Sequence, residues 1–139
     1  MTFLDRKKLL EKEKLEVVKV DLGKERFVCV RQMTGRERDR FEKSLVRQVG
    51  KGVNITYESA TDDFRAKLAV CTVCDEEGNL LLSAADVSVL SQSMSAFTLE
   101  KIVNVAQRLN KISEEDKEGL VKNSDAGQAG DSTSDSAKN

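Results

Sequence analysis

The chain has 139 residues, of which 39% are hydrophobic and 34% charged, a balance typical of one domain with a wet surface and a modest core. It contains no histidine, which removes the side chain most often used as a general base or metal ligand. Aromatic residues make up 4%, few for a surface that stacks nucleobases, and no apolar run approaches the roughly 18 residues that a membrane span needs.

The distribution of charge and the number of cysteines indicate what the protein binds and in which compartment it is found. Residues 1–50 hold 14 Lys and Arg against 9 Asp and Glu, whereas residues 113–139 hold 3 against 7. This basic N-terminal part and acidic C-terminal part favour charged partners. The charged N-terminal stretch is unlike the apolar centre of a signal peptide, and three cysteines fit a reducing compartment better than a disulfide framework. We therefore expect an intracellular protein.

The first elements in chain order are a short N-terminal helix and a β-hairpin. "TFLDRKKLLEKEKLE" has strong helix formers around a thin apolar stripe. From residue 16 the period changes, because Val18, Val20 and Leu22 alternate with polar residues, and a second arm alternates after Gly23. This pattern predicts a hairpin over residues 16–31 with its turn in "LGKE".

Helical signals dominate the rest of the chain. Two pairs of residues, Thr34 with Glu37 and Ser83 with Asp86, have the spacing of a capping box. In this motif the two side chains accept hydrogen bonds from each other's backbone N–H groups at the start of a helix. Apolar residues recur at three and four residue intervals, as Phe41, Leu45 and Val49 do. Residues 50–61, which contain two glycines, read as a loop. The predicted helices cover 35–49, 62–74, 84–92, 97–111 and 114–121.

The predicted fold class is α+β and mainly α-helical, with the hairpin packed on a bundle of four to five helices. A single globular domain would cover residues 1–122. Residues 123–139 are small and polar, with no large apolar side chain to offset the entropy of ordering them. They are predicted to be a disordered tail.

Cys71 and Cys74 stand three apart and precede three carboxylates, which raises the question of a metal or redox site. A structural zinc site needs four ligands, and here no second pair and no histidine is present. A redox pair is activated at a helix N-terminus, whereas these thiols follow an apolar helix. The acidic stretch from Asp75 also fails the spacing of a calcium loop. Core packing of the cysteines and a solvated turn with Gly78 at positive φ are the favoured interpretations.

A basic face on the predicted helix 35–49 is the other charged feature. Arg36, Arg40, Lys43 and Arg47 share one side of the helix, where they could follow phosphates or dock a protein. Carboxylates between them reduce the net positive potential. The sequence contains no nucleophile elbow, phosphate-cradling glycine loop or His-based dyad, so no enzyme is predicted.

Four landmarks follow one another between residues 16 and 123. They are the hairpin leading into "MTGRERDRFEKSLV" (33–46), a helix passing into "CDEEGNLLLSAADV" (74–87), "VAQRLNKISEED" (105–116), and the polar tail. In type and order they resemble the tail assembly chaperones of phages with long, non-contractile tails.

This resemblance implies a non-enzymatic role in building the tail tube. Such proteins coat the helical tape measure protein and recruit the major tail tube protein to it, and many have a longer product made by ribosomal frameshifting. It implies self-association into oligomers, residence in the host bacterial cytoplasm, absence from the mature virion, and no cofactor, metal or membrane. The competing hypothesis is a small nucleic-acid-binding regulator that uses the basic face.

Candidate partner-docking residues come from the two most amphipathic predicted helices, 35–49 and the one from Thr98 to Lys111. Exposed apolar or charged strips that make many weak contacts would suit a releasable coat on a long partner. The alternative is that the apolar stripes face only the protein's own core. The candidates are Arg36, Arg40, Phe41, Lys43, Leu45, Arg47, Lys101 and Arg108, with the 50–61 loop as a second docking element.

Overall fold

The computed structural model describes residues 1–112 and has a mixed α+β architecture, as predicted. The predicted helix at 114–121 and the predicted disordered tail lie outside the described residues. The N-terminal helix is reduced to one turn, α1 (Arg6–Leu9), which Asp5 caps by accepting the Lys8 N–H. Among residues 1–112, no helix has the length and apolar character needed to cross a membrane.

The predicted hairpin is present as β1 (Val17–Gly23) and β2 (Arg26–Arg31). Its two turn residues, Lys24 and Glu25, have φ values of 54° and 58°, the left-handed conformation that lets a two-residue loop match the strand twist. A short strand, β5 (Val73–Cys74), pairs with the other edge of β2. The hairpin thereby becomes a three-stranded antiparallel sheet in the order β1-β2-β5.

Helix α2 (Gly35–Lys43) begins as predicted but ends six residues earlier than the predicted 35–49. Thr34 accepts the Glu37 N–H, and the Glu37 carboxylate accepts the Thr34 N–H, so the predicted capping box is present. Val46–Val49 forms strand β3 instead of the last helical turn. The four-residue spacing was misleading there, because Val49 is exposed and contributes nothing to a buried stripe.

The predicted loop at 50–61 is also wrong, since it contains a short 3-10 turn (Gly52–Asn54) and strand β4 (Thr56–Ser59). β3 and β4 pair antiparallel as a separate two-stranded sheet. β-branched and aromatic residues such as Val46, Val49, Thr56 and Tyr57 favour this pleated ribbon over a helix or an irregular loop. Its side chains are mostly exposed.

Helix α3 (Phe64–Val70) is shorter than the predicted 62–74, because the chain turns at Thr72 and β5 pairs with β2. The later helices agree with prediction. A 3-10 turn (Ala84–Asp86) runs into α4 (Val87–Ser93), where 84–92 was predicted, and α5 (Ala96–Leu109) matches 97–111. At Ser83 the N–H donates to the Asp86 carboxylate at 2.9 Å, as the capping spacing predicts.

The core lies where α5 packs on α3 and across the three-stranded sheet. α5 contributes one buried face, and α3 is buried around most of its circumference, as its apolar sequence predicts. Phe41 of α2 meets Phe64 of α3 edge to face, with ring centroids 5.6 Å apart. The side chains buried in this core include Val30, Phe41, Leu45, Leu68, Leu99, Ile102 and Ala106.

Candidate docking surface

A buried ion pair fixes α2 against the hairpin. Both terminal nitrogens of Arg31 donate to the Glu37 carboxylate, at 2.9 and 2.8 Å, in the bidentate geometry that suits a guanidinium. The Arg31 side chain is 7% exposed and that of Glu37 is 20% exposed. Because Glu37 also caps α2, one carboxylate sets both the start of the helix and its position on the sheet.

The surroundings of Glu37 lower its pKa. Burial acts to raise the pKa, but the hydrogen bond from Arg31, the Thr34 N–H and the charge of Arg31 together outweigh it. The charged form of Glu37 is therefore favoured in the folded protein.

This pKa shift predicts an acid-sensitive contribution to stability. A carboxyl whose pKa is lower when folded stabilises the protein above its unfolded pKa, and that contribution disappears as the pH falls through the folded pKa. We expect the free energy of unfolding to fall below about pH 4.5 by a larger amount in the wild type than in Glu37→Gln. Urea unfolding across a pH series measures this, and parallel pH profiles for the two proteins would contradict it.

The basic face predicted from the sequence is divided in the structure. Arg36, Arg40 and Lys43 are exposed along one side of α2 and form no ion pair within residues 1–112; we call them the basic stripe. Arg47 instead lies on β3, where it pairs with Glu58 at 3.3 Å and Asp62 at 3.6 Å.

The carboxylates that sequence reasoning expected to neutralise the face are largely engaged elsewhere. Glu37 binds Arg31, and Glu42 accepts from Arg38 at 2.9 Å. Asp39, which also lies on α2, forms no ion pair among the described residues. The basic stripe consequently keeps a net positive charge available to a partner.

An apolar groove of about 270 Å³ runs beside the basic stripe, between α2, α3 and residues 80–87. Arg40 lines the groove and belongs to the stripe, so the two features form one continuous surface. Leu80, Leu82 and Val87 are half-buried along one wall. The apolar side chains that line it are Phe41, Val70, Leu80, Leu82 and Val87, together with Cys71.

Lys67 lines the apolar groove and is held by backbone oxygens. Its Nζ donates to the Ser44 carbonyl at 2.9 Å and to the Ala60 carbonyl at 2.7 Å. Burial lowers the pKa of Lys67, while the nearby carboxylates of Asp63 and Asp62 oppose that change. Lys67 thus ties α2 and β4 to α3, and this anchoring accounts for its position.

Two of the predicted docking residues belong to the core. Phe41 and Leu45 are 1% and 2% exposed, so a partner cannot reach their side chains in this fold. Their apolar spacing reflects packing of α2 against the rest of the protein, which was the alternative interpretation. Phe41 also contributes to the floor or wall of the apolar groove, among the residues that line it.

The two candidates on α5 lie apart from each other. Lys101 stands over the exposed ring of Phe97, with its Nζ 4.8 Å from the ring centroid. Arg108 is exposed in the last turn of α5. No ion pair or hydrogen bond joins either side chain to the basic stripe within residues 1–112.

Asn110, which the sequence reasoning did not single out, connects the end of α5 to α2. Its Oδ1 accepts the Met33 N–H at 2.7 Å, and its carbonyl accepts from Arg38 at 3.0 Å. An Asn just beyond a helix end is a local signal of a cap, but nothing local shows that it reaches residue 33. The link is set by tertiary packing.

The cysteines pack as the sequence predicts. Cys29 and Cys74 are buried opposite one another on β2 and β5, and Cys71 is half-buried beside the apolar groove. Burial raises the pKa of both Cys71 and Cys74. Within residues 1–112, no group of three or more Cys, Asp and Glu is placed to hold a metal ion.

The acidic stretch after Cys74 is the predicted turn, with Gly78 at a φ of 92°. The Asp75 carboxylate accepts the N–H groups of Glu77 and Asn79, each at 2.9 Å. Hydrogen bonds from Asn79 lower the pKa of Asp75, which keeps this carboxylate charged and oriented inward on its own loop.

Thiol reactivity should follow this burial. We expect Cys71 to react first with N-ethylmaleimide in the folded protein, and Cys29 and Cys74 to react only as fast as the protein opens, because the attacking species is an accessible thiolate. Peptide mapping by fragmentation mass spectrometry distinguishes the three sites. Equal reaction of all three thiols before unfolding would contradict the prediction, and full labelling in urea is the control.

Exposed apolar side chains also occur at the N-terminus. Phe3, Leu4, Leu9 and Leu10 surround α1 and are all exposed. Apolar side chains grouped in this way commonly mark an interaction site. The N-terminal segment is therefore a further candidate docking element that sequence reasoning treated only as a thin helical stripe.

Comparison with known proteins adds no relative: no family model matches the chain, and no curated protein or solved structure matches it either.

Proposed function

We propose that this protein is a phage tail assembly chaperone that binds the tape measure protein and brings tail tube subunits to it. The proposal begins with the landmarks at 33–46, 74–87 and 105–116, whose type and order resemble that family. In this proposal the protein binds its partner without catalysing a reaction, and several copies bind together along one long partner.

The observation that carries the proposal is that the landmarks are in contact with one another around α2. Asn110, in the third landmark, binds Met33 and Arg38 in the first. Leu80 and Leu82, in the second, line the apolar groove with Phe41. Segments far apart in the chain thus pack against the same helix, α2, as residues with a shared role would.

The chemistry of this surface suits a releasable coat. The basic stripe offers three cations that form no ion pair within residues 1–112, and the apolar groove offers a strip of half-buried apolar side chains. Each contact with a helical partner would be weak, because exposed charges are screened and the groove is small. Many copies along one partner would still bind firmly through avidity, and could be released as tube subunits replace them.

A binding experiment with the tape measure protein of the same phage tests the proposal. We expect the immobilised full chain to retain that protein, and the triple variant Arg36→Glu, Arg40→Glu, Lys43→Glu to retain much less. The matched control reverses three exposed basic residues of the β1–β2 hairpin, outside every candidate docking element: Lys19, Lys24 and Arg26.

The outcomes separate the competing functions. Retention of the tape measure protein by wild type and control, with loss in the stripe variant, supports the proposal. Failure of the wild type to retain it at low salt contradicts the proposal. Salt-sensitive retention of DNA or RNA, lost in the same variant and without any binding of the tape measure protein, would favour the regulator hypothesis instead.

A further inference from the structure

The basic stripe has the spacing of one helix face. Arg36, Arg40 and Lys43 follow one another at intervals of four and three residues on α2, so they span about 10 Å at roughly 1.5 Å per residue. Asp39 is the only carboxylate of α2 that forms no ion pair within residues 1–112, and it offsets one of the three charges. A ligand that matches this stripe therefore carries several negative charges along a line of the same length.

The apolar groove contains side chains that pack on the core and side chains that do not. Phe41 belongs to the core, and Leu82 and Cys71 are partly buried against it. Leu80 and Val87 also line the groove and are half-buried, but within residues 1–112 they are not among the side chains that pack on the core. Leu80 and Val87 thus keep apolar surface that a partner can bury.

The size of the groove favours side chains of a protein over a small molecule. Its volume of about 270 Å³ lies below the roughly 300–1,000 Å³ that is typical of small-molecule sites. Arg40 belongs to the stripe and also lines the groove, so one ligand can contact both features. Glu37 lines the groove as well, but its carboxylate is held by Arg31. The matching ligand is therefore a protein segment with carboxylates beside apolar side chains.

A helix fits these features better than an extended peptide or a nucleic acid. Residues at i, i+4 and i+7 of a helix lie on one face, which is the spacing of the stripe itself. An extended peptide binds chiefly by hydrogen bonding to a sheet edge, whereas this groove lies between α2, α3 and residues 80–87. A nucleic acid offers phosphates to the stripe but no aliphatic side chain to Leu80 and Val87.

We infer that the apolar groove and the basic stripe bind an acidic amphipathic helix. The apolar side chains of that helix contact Leu80 and Val87, and its carboxylates, spaced i, i+4 and i+7, face the basic stripe. The inference rests on the proposed function, in which the tape measure protein supplies the helix. It adds the chemistry of the docking segment, which has aliphatic and acidic side chains on adjacent strips.

A synthetic helical peptide tests the inference without the tape measure protein. The peptide has about 18 residues, or about five helical turns, with leucines on one strip, glutamates on the adjacent strip and a background of alanine and glutamine. Fluorescence anisotropy measures its Kd for the full chain. The rate at which N-ethylmaleimide labels Cys71 reports where the peptide binds, because Cys71 lines the groove. At a peptide concentration about tenfold above Kd, Cys71 should label about tenfold more slowly.

Two control peptides separate the charged contact from the apolar one. Replacing every glutamate by glutamine should raise the Kd about tenfold, because three exposed ion pairs are lost. Replacing every leucine by alanine should also raise the Kd about tenfold or more, because less apolar surface is buried. A Kd that is unchanged by either replacement overturns the inference.

Variants of the protein locate the site. Leu80→Gln with Val87→Gln should raise the Kd of the peptide about tenfold, because the apolar contact is lost. The control Leu81→Gln with Val89→Gln makes the same change at side chains that are 60% and 66% exposed and do not line the groove, so the Kd should stay the same. Circular dichroism checks that both variants are folded, and the control peptides decide the question if the first variant is not.

Three further results overturn the inference. They are binding of the peptide without protection of Cys71, equal weakening by the two protein variants, and protection of Cys71 by a short DNA duplex but not by the peptide. Retention of the tape measure protein without any protection of Cys71 by the peptide overturns this inference and leaves the proposed function. Protection by the peptide without retention of the tape measure protein supports the helix site and overturns the proposed function.

Discussion

Replacing Glu37 by Gln is expected to lower the free energy of unfolding by about 2 kcal/mol, because it removes the charged partner of Arg31, whose side chain is only 7% exposed. Arg31 Nε is also buried and has no hydrogen-bond partner within residues 1–112, so Arg31 has little capacity to tolerate a further loss. Urea unfolding followed by far-ultraviolet circular dichroism gives the change directly.

The matched control for Glu37 is Glu42→Gln. Glu42 also forms an ion pair with an arginine, Arg38, which lies one turn earlier on the same helix. Both side chains are about one third exposed, Glu42 at 37% and Arg38 at 32%. A solvated pair of this kind contributes under about 1 kcal/mol, so Glu42→Gln should change stability little. Equal effects of the two substitutions would show that Arg31–Glu37 is not the junction between hairpin and helix that the structure describes.

Phe41→Ala is expected to lower the free energy of unfolding by about 3–5 kcal/mol, through lost burial and the cavity left beside the core. Phe41 is 1% exposed and packs against Phe64. The result decides between two roles for the residue, because a docking residue on the surface would be replaced at little cost to folding.

Phe97→Ala is the control for Phe41→Ala, since it removes an equal side chain that is 72% exposed. Phe97 lies outside the core, and its contact with Lys101 is worth under about 1 kcal/mol at an exposed site. If both variants unfold at the same urea concentration, Phe41 is not part of the core. Thermal unfolding provides a second reading of the same difference.

Local signals were sufficient for the elements that depend on neighbouring residues. The capping pairs Thr34–Glu37 and Ser83–Asp86 each act within one helical turn, and both are present. The hairpin was likewise predicted from alternation and a turn residue. These features need no knowledge of the distant chain, which is why sequence reasoning located them to within a few residues.

Prediction failed where strand pairing competes with helical spacing. Val46–Val49 and Val73–Cys74 each continue a helix-like pattern, but each becomes a strand because a partner strand is available, β4 in one case and β2 in the other. Those partners lie several residues or more away in the sequence. Helical periodicity measures only which residues share a face, so it could not reveal the competing pairing.

The candidate surface was predictable only in part. Arg36, Arg40 and Lys43 share a helix face by spacing alone, and the structure leaves all three exposed. The apolar groove was not predictable, because it needs Leu80 and Leu82 to lie against α2. The buried Arg31–Glu37 pair, which removes one neutralising carboxylate from the surface, joins a strand to a helix through tertiary packing.

The measurement that tests the central claim most directly is the solubility of the tape measure protein when it is co-expressed in bacteria with this chain. We predict that the wild type keeps the tape measure protein in the soluble fraction and elutes with it as one large complex, and that the Arg36→Glu, Arg40→Glu, Lys43→Glu variant does not. A tape measure protein that remains insoluble with the wild type, or that is equally soluble without it, would contradict the proposal that this protein is a tail assembly chaperone.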